Sequence, residues 1–302
     1  MQTSASSAHK TIIGVIVLAA SAGAAIPRAQ TTEVGAVLAR VGERVAEYYK
    51  RVQNIVCNEK ATVQPVSSSM SFAPGGFARV TESELRIESE TDGDGGSPSE
   101  ATVVRTLLKV NGRRPREKDK TDAAGCTDPN PLSPEPLAFL LPANQHEYKF
   151  SFAGWGKGKD SGAMLIDFVS PGTRGEGKLV EDPNGHADCW SWELPATMKG
   201  RVWVDGTTFD VLRVEQHMVG PGTLRVSNEQ QRKHNLPDWI TIDRYDKTIR
   251  LKVASFTDPD EQMILPESIE SLILVRNALQ SIRKEQRFTD YRRFLTAGRI
   301  VK

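Results

Sequence analysis

An excess of either charge is missing from this sequence. The 302 residues hold 39 Lys and Arg against 38 Asp and Glu, a formal net charge of +1. Proteins that act mainly on nucleic acid usually carry a clear basic surplus. We therefore expect no nucleic-acid partner.

Long apolar runs are also absent, apart from one near the first residue. The run from Ile12 to Ile26 follows Lys10 and ends in small residues, which is the pattern of a secretory signal peptide. It is shorter than the about twenty apolar residues of a membrane span, although an uncleaved anchor is the alternative interpretation. We expect a cleaved signal peptide at 1–29 and one domain at 30–302, periplasmic or secreted and not integral to the membrane.

Cysteine is scarce, with three residues in all. Export to an oxidising compartment permits a disulfide, and an odd count leaves one thiol over. Cys126 and Cys189 lie in turn-rich segments and form the pair that we predict; three reduced thiols are the alternative. Cys57 lies in the apolar stretch NIVCNE, where we expect a buried free thiol.

Complete catalytic and cofactor motifs are lacking. The chain has neither a Gly-x-Ser-x-Gly elbow nor a complete phosphate-binding or dinucleotide-binding loop. His186, Asp188 and Cys189 form the one compact group that could bind a metal or act as a nucleophile. A zinc site needs three or four converging ligands, so a turn with a structural cysteine is the favoured interpretation.

Carboxylates on or beside predicted strands could serve glycoside hydrolysis if two of them met in space. The candidates are Glu147, Asp167, Glu193 and Asp243. Alternating strands place such residues on a solvated face by default. We therefore expect a non-enzymatic protein without a metal or a cofactor.

One amphipathic helix and many strands are what the sequence does contain. Apolar residues recur at steps of three and four from Val34 to Val52, after a possible cap at Thr31 or Thr32. From Asn54 onward the period changes to two. The alternation places these residues inward: Phe77, Leu85, Ile87, Val104, Leu108, Val110, Ile249, Leu251 and Val253.

Two hairpins and a short helix complete the prediction. In KGRVWVDGTTFDVLRVEQH (199–217), a type I′ turn at Asp205-Gly206 would place Val202 opposite Phe209, and the later change of apolar face indicates a bulge. The stretch SIESLILVRNALQSIRKEQRFTDYRRF fits a helix or a hairpin, and we favour a hairpin turning near Asn277. Ser133 and Pro134 can start a short helix that ends before Pro142.

These segments resemble a known superfamily. GRVWVD followed by VLR, the helix end YYKRVQNIVCNEKA, and the stretches VNGRRPRE, PLAFLLPANQHEYKFSFAG and FTDYRRF are similar to the LolA/LolB-like periplasmic lipoprotein carriers and to secreted bacterial relatives. The resemblance implies a mainly β (α+β) fold: a curved, unclosed antiparallel half-barrel, with the N-terminal helix and the short inserted helix covering its concave side.

The same resemblance implies a carrier that shelters an apolar ligand, a lipid acyl chain or a lipidated protein, in the curved sheet. We expect the hollow to be lined by Trp155, Trp192, Trp203, Phe209 and Leu140. The alternative is an interaction module that docks an envelope protein partner through exposed edge strands.

Overall fold

A computed structural model describes residues 28–52, 55–71, 73, 76–88, 102–119, 137–170, 172, 175–181, 190–257, 260–277 and 280–293, and strands of one sheet make up more than half of these residues. The strands are β1 (Ile55–Pro65), β2 (Arg79–Glu88), β3 (Thr102–Val110), β4 (Lys149–Trp155), β5 (Ala163–Ser170), β6 (Gly177–Glu181), β7 (Trp190–Glu193), β8 (Met198–Asp205), β9 (Val211–Met218), β10 (Gly222–Arg225), β11 (Trp239–Thr257), β12 (Asp260–Arg276) and β13 (Ile282–Arg293). The helices are α1 (Arg28–Arg51) and α2 (Asn228–His234).

The sheet is antiparallel along its main path and does not close. The strand order is β3-β2-β1-β13-β12-β11-β9-β8-β5-β4, and its two end strands do not pair with each other. Three further strands form a branch of the sheet: β10 pairs antiparallel with β11 and parallel with β6, and β6 pairs antiparallel with β7. This open, mainly β architecture with a covering helix confirms the predicted fold class.

Helix α1 packs on the sheet through one apolar stripe. The stripe consists of residues spaced three or four apart, all buried: Val34, Leu38, Val41, Val45, Tyr49 and Val52. Each such side chain contributes about 1.5–3 kcal/mol by leaving water. The helix begins at Arg28, a few residues before the predicted cap.

The segment 137–145 is joined to α1 by hydrogen bonds. The short helix predicted from Ser133 is, in the described residues, a single 3-10 turn at Ala138–Leu140. The Leu137 N–H donates to the Tyr49 hydroxyl at 3.0 Å, and the Gln145 side chain donates to the Leu38 carbonyl at 2.9 Å. Gly42 permits this contact, because a Cβ there would lie 2.9 Å from the Gln145 amide nitrogen.

The predicted turn between β8 and β9 is wrong in its register. Val204 pairs with Val211, so four residues (206–209) form the loop. The Asp205 carboxylate accepts the N–H groups of Thr207 and Thr208, both at 2.8 Å, which favours a longer turn than type I′. The predicted bulge is confirmed: Leu212 is the extra residue, so Val211 and Val214 share the buried face.

Four side chains that alternation placed inward lie outward in the structure, two of them beside a bulge in β3. Val104 and Leu108 of β3 are exposed, and the ladder between β2 and β3 shifts register beside Leu108. Val253 lies beyond a register shift between β11 and β12 and is exposed as well. Phe77 precedes β2 and is 88% exposed. A one-residue slip moves every later side chain to the other face.

The hairpin interpretation of the C-terminal stretch is confirmed. Strands β12 and β13 pair antiparallel, and Asn277 adopts a left-handed conformation (φ 81°) at the end of β12. The Asn-Gly turn after β3 is also present, with positive φ at both Asn111 and Gly112. Residues 1–27 of the predicted signal peptide and the predicted pair Cys126–Cys189 lie outside the described residues, whereas Arg28 and Ala29 belong to α1.

One buried ion pair ties the β3 end of the sheet together. The Glu59 carboxylate accepts hydrogen bonds from Arg105 at 2.9 and 3.0 Å and from the Gln286 amide at 2.8 Å. The Glu59 side chain is fully buried and that of Arg105 is 15% exposed. Desolvation makes such a pair costly to break from one side.

We therefore predict that Arg105→Ala lowers the free energy of unfolding by about 3–5 kcal/mol, because a buried carboxylate loses its counter-ion. The matched control is Lys109→Ala on the same strand, whose pair with Glu82 is half exposed. Urea denaturation measures both variants. Equal losses in the two variants would contradict a special role for the buried pair.

Candidate ligand-binding face

The face of the sheet on which α1 lies, here called the helix-covered face, carries the larger apolar core. It joins the stripe of α1 and the turn at 137–141 to buried side chains of the central strands. The sheet contributes Met164, Ile166, Phe168, Val202, Val204, Val214, Ile249, Ile269 and Phe288, among others. The protein's own side chains fill this part of the face.

Polar contacts hold the C-terminal half of α1 to the sheet. Arg44 donates to the Asp210 carboxylate at 3.0 and 3.3 Å, next to the β8–β9 loop. Arg51 reaches Glu261 of β12 at 2.9 Å, and its carbonyl accepts a hydrogen bond from Arg293 at 2.8 Å. These side chains are partly exposed, so each ion pair is worth less than about 1 kcal/mol. Apolar contact therefore dominates the attachment of α1.

Aromatic side chains continue the helix-covered face to the open edge of the sheet. On edge strand β4, Phe150 and Phe152 pair with Phe168 and Ile166, and Trp155 pairs with Met164. Directly paired residues point to the same face, and these partners belong to the buried core. The aromatic row thus extends the core to the end strand β4, which α1 also contacts.

Two members of this row are open to solvent. Phe152 is 38% and Trp155 is 56% exposed, and their rings meet edge to face at 6.2 Å between centroids. Trp155 also lies over the β8–β9 loop, because a Cβ at Gly206 would be 2.8 Å from its ring. We call Phe152 and Trp155 the edge aromatic pair.

The apolar part of the helix-covered face ends at a polar row. Gln216, Lys247, Ser271 and Lys284 are neighbours across β9, β11, β12 and β13. Lys247 lies two residues before the buried Ile249 on β11, about 7 Å along the strand. Burial lowers the pKa of the Lys247 ammonium. In the described residues it makes no hydrogen bond or ion pair.

Two clefts in the described part of the chain are bordered by charged side chains. One of about 320 Å³ crosses β11, β12 and β13 beside Lys247 and is bordered by Glu270, Arg283 and Glu285. Another of about 250 Å³ includes Trp203, Arg213 and Arg250. An apolar ligand on the helix-covered face therefore has to exchange places with side chains that already pack there.

The predicted lining residues fall in different places. Leu140 is a fully buried residue of the core, and Phe209 packs against that core. The guanidinium carbon of Arg40 lies 5.3 Å from the centroid of the Phe209 ring. Trp155 lies at the open edge. Trp203 alternates with the buried Val202 and Val204, so it points to the opposite face, away from α1. The side chain of Trp192 lies outside the described residues.

Asp167 and Asp243, two of the predicted carboxylates, are each paired with an arginine. Arg201 binds Asp167 at 2.5 and 3.0 Å, and Arg276 binds Asp243 at 2.8 Å. Glu147 ends a short 3-10 turn. The Glu193 side chain and the group His186, Asp188 and Cys189 lie outside the described residues. Within the part that is described, no three His, Cys, Asp or Glu side chains come together as metal ligands would.

Sequence reasoning missed the polar attachments of α1 and Phe152, the partner of the predicted Trp155 in the edge aromatic pair. The wrong hairpin register matched Asp210 with Arg201, whereas the longer loop turns Asp210 toward Arg44. Phe150 and Phe152 share one face of β4, and the extra residue Ala153 brings Trp155 to the same face. This bulge breaks the regular alternation, so the sequence pattern did not reveal the row. The signal that could have identified the row is the spacing of aromatic residues along 150–155.

Comparison with known proteins adds little beyond the architecture. No protein-family model and no curated protein matches the chain. A similar solved structure is that of a LolA superfamily protein from Nitrosomonas europaea, with 11% sequence identity and a TM-score of 0.32 over 85% of this chain and 94% of that chain. A likeness this distant supports neither a ligand nor a mechanism. In the described part of the chain, neither helix has the length and apolarity of a membrane span.

Cys57 reports on the contact between α1 and the sheet. As predicted, it is a buried free thiol. Cys57 belongs to the same apolar core as the stripe of α1, and Tyr48 of α1 and Tyr291 of β13 pack against that core. Burial first, and charge on Cys57 second, raise the pKa of both tyrosines. Burial, with a smaller effect of Glu59, raises the pKa of Cys57 itself to about 12.

We predict that iodoacetamide labels Cys57 at about pH 8 on the order of a thousandfold more slowly in the folded protein than in the urea-unfolded chain, because the thiolate is rare and covered. Mass spectrometry of the peptide that contains Cys57 separates this thiol from the other two. Labelling within about tenfold of the unfolded rate would mean that α1 does not shield it.

Arg44→Gln should raise the labelling rate of Cys57 roughly two- to fivefold, the effect of losing one partly exposed ion pair on the opening of α1. Glu43→Gln, an exposed change on the same helix, serves as the control and should leave the rate unchanged. The same rate in both variants would show that the Arg44–Asp210 contact does not restrain α1.

Proposed function

We propose that this protein is an exported, non-enzymatic binding protein that receives an apolar chain, such as a lipid acyl chain, on its helix-covered face. The ligand enters at the open β4 edge and takes the place of α1 and the turn at 137–141. The observation that supports this most directly is the edge aromatic pair, which exposes large apolar side chains on the same face as the core.

The displacement of α1 by an acyl chain is energetically feasible, because both cover apolar surface of the sheet. The stripe of α1 and an acyl chain both gain about 25 cal/mol for each Å² of apolar surface that leaves water. An acyl chain on the sheet therefore offsets the apolar contacts that α1 gives up. The partly exposed ion pairs of Arg44 and Arg51 add little to the cost of moving the helix.

The position of Lys247 favours an amphiphile with an anionic head. Its ammonium lies where the apolar part of the helix-covered face ends and has no hydrogen-bond or ion-pair partner in the described residues. A carboxylate bound there would form an ion pair with it. Fatty acids combine the two features in one molecule.

A fluorescent fatty acid tests the edge. We expect Phe152→Ala and Trp155→Ala each to weaken its binding roughly fivefold or more, the contribution of one aromatic contact. Phe77→Ala removes an equally large and more exposed aromatic side chain away from the edge, and it should leave binding unchanged. Failure of the unaltered protein to bind the fatty acid, or equal losses in all three variants, would refute the proposed site.

The head group is tested by comparing a fatty acid with the fatty alcohol of equal length. Lys247→Gln should weaken binding of the acid roughly tenfold and leave the alcohol unaffected, because only the acid pairs with the ammonium. Lys199→Gln, an exposed lysine on β8, is the control. Equal losses for acid and alcohol would assign Lys247 a structural role.

A further inference from the structure

The outer face of the sheet, opposite α1, carries a second site, here called the Arg250 cleft. Trp203, Arg213 and Arg250 are direct neighbours across β8, β9 and β11 and form its floor. Lys159 and Asp160 from the turn after β4 border one side, and Glu267 of β12 borders another. The cleft encloses about 250 Å³, which is room for a small ligand or head group.

Arg213 is held rigidly in this floor. Its guanidinium carbon lies 3.6 Å from the centroid of the Trp203 ring, and its Nη2 donates to the Asp160 carboxylate at 2.9 Å. Its Nε lies 3.4 Å from Glu215, without the geometry of a hydrogen bond. Stacking and ion pairing thus use the charge of Arg213 within the protein.

Arg250 differs because it has no acceptor. Its Nη1 atom is buried and makes no hydrogen bond in the described residues. An unpartnered donor on a buried charged group is costly, and most arginines in the described part of the chain have carboxylate or carbonyl partners. The guanidinium also lies next to a second cation, Arg213, on the neighbouring strand.

The acids of the cleft do not neutralise Arg250. Asp160 is bound to Arg213, and the Asp205 carboxylate accepts the N–H groups of Thr207 and Thr208. Glu267 is the extra residue of a bulge in β12 and is exposed at the rim, beyond ion-pair distance of Arg250. Positive charge is therefore concentrated at the bottom of the cleft and negative charge at its rim.

We propose that the Arg250 cleft binds an oxyanion, the carboxylate or phosphate group of a small ligand or of a lipid head group. The planar Arg250 guanidinium supplies two parallel N–H donors, the geometry that such groups accept. Leu212 adds apolar contact beside the charged floor. The site lies on the opposite face from the proposed apolar site and is independent of it.

Isothermal titration of the folded protein at low salt with inorganic phosphate and with acetate tests the cleft. We expect binding that Arg250→Gln weakens at least about tenfold, because a charged hydrogen-bonded pair is lost. Glu267→Gln should tighten binding roughly two- to fivefold, since it removes a repelling charge from the rim. Arg287→Gln, at an exposed arginine on β13, should change it less than about twofold.

The source of the oxyanion is distinguished by vesicles that contain an anionic phospholipid. Vesicle binding that depends on Arg250, with weak binding of free phosphate, would assign the site to a head group; the reverse would assign it to a soluble ligand. Absence of binding to all three probes would overturn the proposal, as would wild-type binding by Arg250→Gln. If that variant fails to fold, the sign of the Glu267→Gln effect still decides, because unchanged or weaker binding would count against the site.

Discussion

The contact between the apolar stripe of α1 and the open sheet is the interaction on which the remaining structure depends. The stripe runs from Val34 to Val52, and central strands of the sheet place their buried side chains beneath it. Because β3 and β4 do not pair, the helix supplies the cover that closure of a barrel would otherwise provide. The polar contacts of Arg44 and Arg51 contribute little, so apolar contact with the sheet holds the helix in place. Another apolar molecule could cover the same surface of the sheet.

The two faces of the sheet carry different side chains because residues alternate along each strand. Val202 and Val204 join the core, whereas Trp203 between them joins Arg213 and Arg250 on the outer face. Apolar exchange on one face and oxyanion binding on the other are thus compatible within the same few strands. A ligand with an apolar chain and a separate soluble anion would not compete.

Much of the architecture could be predicted from local patterns. The helix followed from its three- and four-residue spacing, and the C-terminal hairpin followed from two alternating segments around Asn277. The register could not be predicted, because it depends on the Asp205 side chain capturing two backbone amides and on bulges at Leu212 and Leu108. The candidate site was accessible only in part: Trp155 was identified as an apolar residue, but the side of the sheet that each tryptophan occupies depends on those same bulges.

Hydrogen exchange of α1 in the presence and absence of a fatty acid tests the displacement of this helix most directly. The amides of Val41 and Val45, at the centre of the buried stripe, should exchange faster when the fatty acid is bound, while those of β11 and β12 stay protected. Unchanged or slower exchange at the same two positions in the fatty-acid complex would show that α1 remains in place, which would contradict binding beneath it.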